Sequence, residues 1–121
     1  MKECLLDIHF VPKAWGHEKW IVNKPEYCGK LLKLNAGKFT SWHFHVLKDE
    51  VLFLHSGSLR ILASDSDDIN SAEEVLMKPG DAFHVYRGLR HRIIALEDSE
   101  MFEFSTQHFD EDSHRLIQGS T

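Results

Sequence analysis

Little in the sequence points to stapling from outside its own core or to large charged or lipid partners. Only two cysteines, Cys4 and Cys28, occur in 121 residues, without CxxC spacing; this excludes a disulfide scaffold and a thiolate zinc site, and both read as thiols without a role. No apolar run approaches the ~20 residues of a membrane span. The opening MKECLLDIHFV is broken by Asp7 and His9 and does not match a secretory signal, so the expected address is cytoplasmic, with no membrane partner. Clusters of Lys and Arg are missing as well, and the formal charge of -5 argues against nucleic acid, whose phosphates require a basic surface. Repeats, linkers and low-complexity tracts are also lacking. What is present is ordinary globular composition, 42% hydrophobic and 27% charged, in a length that suits one domain spanning residues 1–121.

The apolar residues come in short runs rich in β-branched and aromatic types: LLDIHFV, WIV, LLKL, VLFL, LRIL, EVLM, AFHVY, HRIIAL and MFEFS. They are separated by turn formers at Asn23 to Pro25, Asn35 to Gly37, Ser56 to Ser58, Pro79 to Asp81 and Gly88. That rhythm predicts an all-β sandwich or barrel. The acidic stretch 65–74 has little to bury and reads as a solvated loop, since it lacks the liganding pattern of a calcium loop. In the tail, 106–121, the segment Asp110 to Gln118 is read as a short helix or a docked loop.

Chemistry concentrates between Gly37 and Gly57. Residues two apart on a strand share a face, so His43 and His45 point one way while Trp42 and Phe44 point the other. After a turn at Lys48 and Asp49, Glu50 shares the inward face of the next strand with Leu52 and Leu54. Nine histidines in the chain make about 0.7 HxH pairs expected by chance, so the pair alone says little. The composite of Gly37, His43, His45, Glu50 and Gly57 is far more specific. It matches the first motif of the cupins, G-x5-HxH-x3,4-E-x6-G, at every fixed position. The second motif, G-x5-P-x-G-x2-H-x3-N, is met by Gly80, Gly88 and His91, with Tyr86 in place of Pro and Ala95 in place of Asn.

Resemblance to cupins implies a double-stranded β-helix, or jelly-roll barrel, with one divalent metal ion held inside by His43, His45, Glu50 and His91. Three nitrogens and one carboxylate suit Mn, Fe, Co, Ni or Zn and disfavour Ca and Mg. Cupins often pair through an outer sheet, so a homodimer is also expected. Beyond the motifs, PKAWGHE at 12–18, HRI at 91–93, EFSTQ at 103–107 and EDSHR at 111–115 are similar, in order, to segments of type II mannose-6-phosphate isomerases. Ser41 stands where those isomerases carry Gln, and Ser113 replaces an Asp.

That resemblance implies aldose–ketose isomerisation of a sugar or sugar phosphate through a metal-stabilised enediolate. Glu103, alternating with Phe102 and Phe104, is the first candidate for the general base. Arg115, at the position matching the family's catalytic Arg, would hold the enediolate or a phosphate. Lys48 and Arg92 are read as structural rather than as anion ligands at the mouth. His17 is the one further histidine expected near the cavity, and Trp15, Trp20 and Trp42 are read as core or sheet-packing aromatics. Two rivals come from other classes: an Fe(II)-dependent dioxygenase, and a non-enzymatic cupin that binds metal and saccharide.

Overall fold

Residues 1–121 are described by the computed structural model. Eleven strands account for the regular structure: β1 His9–Lys13, β2 Gly16–Lys24, β3 Tyr27–Leu34, β4 Trp42–Phe44, β5 Glu50–Ser56, β6 Leu59–Ser64, β7 Glu73–Met77, β8 Ala82–Val85, β9 Arg90–Ala95, β10 Ser99–Ser105 and β11 His114–Ile117. They form two antiparallel sheets, one ordered β1-β2-β3-β10-β5-β8 and the other β11-β4-β9-β6-β7. The only helical elements are single 3-10 turns, and no helix is long and apolar enough to cross a membrane.

Alternation along the strands creates both the core and the site. On β3 the inward positions are Cys28, Lys30, Leu32 and Leu34; on β5 they are Glu50, Leu52 and Leu54; on β9 they are His91, Ile93 and Ala95. On β10, Glu103 and Met101 face inward while Phe102 and Phe104 face out, the two phenyl rings stacking on each other. Each of these strands therefore runs from a charged or imidazole side chain to aliphatic ones. Antiparallel register sets the polar ends together, with Glu103 opposite Lys30 on one side and opposite Leu52 on the other, and His43 opposite His91.

The result is a sandwich that is apolar at one end and polar at the other. Its aliphatic half joins Leu34, Leu54 and Met101 of the first sheet to Leu59, Ile61 and Met77 of the second. Each such side chain contributes about 1.5–3 kcal/mol by leaving water, and the well-packed half holds the charged half in place. Gly57 closes the turn between β5 and β6 at φ +96°, where a Cβ would meet Ser99 Oγ at 2.2 Å. The last glycine of the first motif is thus required by the backbone conformation and by the close approach of the 98–99 turn.

Two expectations are corrected. The first run of apolar residues does not form a strand from its start: β1 begins at His9, while Leu5 and Leu6 are exposed. The tail does not form a helix over 110–118. It makes one 3-10 turn at Asp110–Asp112 and then β11, which pairs with β4 through His114 opposite Phe44 and Arg115 opposite His43. The open edge of β4 supplies hydrogen bonds that a short helix with exposed Leu116 and Ile117 could not match.

Candidate metal centre and cavity

His43, His45 and His91 converge at the polar end, with one nitrogen of each within 4.8 Å of the others. Each ring is oriented by a backbone carbonyl: His43 Nδ1 lies 2.9 Å from Ser41 O, His45 Nδ1 3.1 Å from Asp112 O and His91 Nδ1 3.0 Å from Leu89 O. A carbonyl only accepts, so Nδ1 carries the proton in each case and Nε2 is left with a lone pair. Burial keeps the rings neutral. It lowers His43 far below its usual value, with help from the neighbouring imidazoles; burial and the Lys48 charge take His45 down to about 3, and burial takes His91 to about 4.

Three imidazole acceptors face one another at the cavity wall with no protein donor between them. Glu50 stands beside this three-histidine cluster rather than within it. Its Oε1 lies 3.7 Å from His91 Nε2, and its Oε2 sits 3.0 Å from Lys48 Nζ but off the hydrogen-bonding direction, leaving that oxygen without a hydrogen bond. Such a donor set fits a first-row divalent cation, with Nε2 free to ligate and Nδ1–H fixed by an outer partner.

Asp112 organises this wall from the tail. Besides the carbonyl that receives His45 Nδ1–H, its buried carboxylate accepts the backbone N–H groups of Val46, Leu47 and Lys48 at 2.9–3.2 Å. Burial alone would raise its pKa, but those three donors bring it below the ordinary aspartate value.

Lys48 is not at the mouth. Although it follows β4 in a turn, its ammonium is buried, 3.0 Å from Glu50 and 3.1 Å from Glu103, and it also bonds His108 Nδ1 at 3.1 Å. Burial opposes the charge, yet the two carboxylates outweigh it and raise the Lys48 pKa. The same pairing divides the carboxylates. Burial and the adjacent Glu103 push Glu50 up, whereas for Glu103 the effect of burial is overcome by Lys48 and Lys30, which hold it below the usual range. Ser105 Oγ donates a further bond to Glu103 at 2.9 Å.

These groups line one cavity of about 600 Å³, together with His9, Trp15, Trp20, Lys30 and Arg115. Arg115 is exposed on β11 and has no ion-pair partner in the structure. His17 does not line the cavity; it packs against Phe10, and His9 and His108 take the positions on that wall. Trp42 is a packing residue, fully buried with its indole N–H donating to Asp67 O at 2.8 Å. Trp15 is part of the hydrophobic core, as read, and with Trp20 it also contributes to the cavity wall. Arg92 points away, with its guanidinium over the Phe39 ring.

Solved structures with the same arrangement of strands include the capsular polysaccharide assembling protein CapF from Staphylococcus aureus, at TM-score 0.79 and 16% identity over 93% of this chain and 35% of CapF. KdgF from Halomonas sp. matches at TM-score 0.71 and 21% identity, over 88% of this chain and 90% of KdgF. Oxalate decarboxylase from Bacillus subtilis matches at TM-score 0.77 and 20% identity, over 91% of this chain and 30% of the enzyme. The chain has the cupin fold. It spans about a third of CapF and of oxalate decarboxylase, but nearly the whole of KdgF. No protein-family model matches the sequence, and no curated protein matches it significantly. As its sequence motifs led one to expect, the chain gathers its histidines at the polar end of this fold.

Proposed function

We propose that the chain is a metal-dependent aldose–ketose isomerase acting on a sugar or sugar phosphate. The observation that carries this reading is Lys48, whose single ammonium bridges Glu50, beside the imidazole cluster, and Glu103, on the same cavity wall. His43, His45, Glu50 and His91 would hold one divalent ion, which when bound supplies Lewis acidity toward a carbonyl and its neighbouring hydroxyl.

Isomerisation requires a proton to leave the carbon beside a carbonyl and to return at the former carbonyl carbon. Glu103 is ionised at neutral pH and takes that proton; the C–H electron pair becomes the C=C bond of an enediolate as the carbonyl π pair moves onto oxygen. Lys48 hydrogen-bonds the oxygen on which charge develops. As the ammonium turns toward substrate, Glu103 loses part of the attraction that keeps it weakly basic, so its affinity for the proton rises when the proton arrives. Glu103 then gives the proton to the adjacent carbon, where the C=C pair forms the new C–H bond; the hydroxyl proton passes from the second enediolate oxygen to the first, so that the former hydroxyl becomes the carbonyl, and Arg115 steadies the anion from the mouth.

The experiment is interconversion of aldoses and ketoses, free and phosphorylated, by metal-loaded protein in D2O. Interconversion with deuterium entering the carbon next to the carbonyl supports the proposal. Binding of the same compounds without turnover, with each of Mn, Fe, Co, Ni and Zn, contradicts it.

A further inference from the structure

Across from the imidazoles, the proposed chemistry leaves Glu18, Trp20 and Lys30, beside the base Glu103, without a task. Trp20 on β2, Lys30 on β3 and Glu103 on β10 stand in one row, since Trp20 pairs with Lys30 and Lys30 with Glu103. Glu18, two residues before Trp20, shares its face of the strand. All four line the cavity. Lys30 is only 2% exposed, with its ammonium 4.2 Å from the centre of the Trp20 ring.

The ammonium has three N–H donors and a single long bond, 3.5 Å to Glu18 Oε1. That oxygen already receives the Trp20 indole N–H at 2.7 Å, and the other oxygen of Glu18 accepts no bond from the protein. A buried ammonium with most of its donors unspent, beside a carboxylate with an acceptor to spare, is an incomplete hydrogen-bonding set that faces open space. Two adjacent hydroxyls complete it, because each both donates and accepts.

We propose that Lys30 and Glu18 form a subsite for a pair of neighbouring hydroxyls on the unreacting carbons of an unphosphorylated monosaccharide. This rests on the isomerase reading and narrows its substrate. Lys30 lies one strand spacing from Glu103, about 4.8 Å, a distance within the length of one sugar, and Glu18 stands on the strand beyond it. Charge selects against a phosphate at this wall. Each buried lysine of the cavity is already matched, Lys30 by Glu18 and Lys48 by Glu50 and Glu103. The remaining cations, half-buried Lys13 and exposed Arg115, lie nearer solvent.

The test compares wild type, Lys30→Met and Glu18→Gln, each metal-loaded, on the free aldopentoses and aldohexoses and on hexose 6-phosphates. The expected result is a free aldose used with higher kcat/KM than any phosphate ester. Its KM should rise tenfold or more in either variant, with metal stoichiometry unchanged. Removing the C3 or C4 hydroxyl from that sugar should raise KM in wild type and add nothing in Lys30→Met. Preference for a phosphate ester, or unchanged KM in both variants, overturns the proposal.

If no sugar is turned over, the isomerase reading fails separately, and the subsite is judged by calorimetric binding of the same free sugars. Binding weakened tenfold in Lys30→Met sustains it, and absence of binding to wild type refutes it. Should a single variant not fold, the double variant Lys30→Met/Glu18→Gln, which removes both charges together, is measured in its place.

Discussion

The main-chain oxygen of Asp112 receives the His45 Nδ1–H at 3.1 Å while the carboxylate of the same residue gathers three backbone N–H groups from the turn that follows His45. One tail residue therefore fixes both a ring and the loop that carries it. Replacing Asp112 with Ala should lower metal affinity about 10–100-fold, the usual effect of losing an outer partner of a ligand. It should also destabilise the protein by about 2–4 kcal/mol through loss of charge-assisted bonds. Competitive chelator titration and thermal unfolding measure the two effects. A variant with unchanged metal affinity would show that the clamp does not act on the centre.

Glu103→Gln should keep metal, because Glu103 belongs to the wall beyond Lys48 and not to the imidazole cluster. Proton exchange at the sugar carbon should fall by about 10²–10⁴, the ordinary contribution of a positioned base. Lys48→Met should be worse for folding, since it leaves Glu50 and Glu103 buried as unpaired like charges and costs about 3–5 kcal/mol. Adding Glu103→Gln to Lys48→Met should recover part of that loss. Chemical denaturation of the three variants checks the pairing, and an additive result would contradict it.

Acid should unfold the metal-free protein through its buried imidazoles. His45 falls from 6.5 to about 3 and His91 from 6.5 to about 4 in the folded chain, and His43 shifts the same way. The unfolded chain then binds more protons between these values, so the stabilisation is complete above pH 6.5 and is lost as pH falls through about 4 to 3. Thermal midpoints measured from pH 7 to pH 3 should decline across this window. A flat profile would mean that the rings are not buried neutral.

The aliphatic end should be separable from the metal end. Leu54 is fully buried in the core, and Leu54→Ala should cost about 2–5 kcal/mol without altering metal stoichiometry in the fraction that remains folded. Loss of metal alongside a fully folded circular dichroism spectrum would show that the two ends are coupled more tightly than their packing indicates.

Period-two patterning made most strands legible, because one face of each is buried and the other is wetted. The HxH and Glu50 spacing located the imidazole cluster for the same reason. Lys48 reads as a structural residue of a turn, but its burial was not legible, because a charge in a turn normally meets water and its second carboxylate, Glu103, comes from β10, 55 residues on. Lys30 carried a readable signal, being in phase with Leu32 and Leu34 on the core-facing side of β3, where a solvated lysine does not belong. His9 and His108 had none; the pairing of β1 with β2 and the path of the tail bring them to the cavity. The tail itself was ambiguous because its partner, the edge of β4, cannot be inferred from local propensity.

The most direct test of the account is metal stoichiometry on purified chain, offered Mn, Fe, Co, Ni and Zn in turn and freed of loosely held ions, with His43→Ala and His91→Ala measured beside it. The account predicts one ion per wild-type chain with at least one of these metals, and none in either variant at unchanged circular dichroism. A wild-type chain that takes up none of them, or a variant that retains a full equivalent, would contradict it.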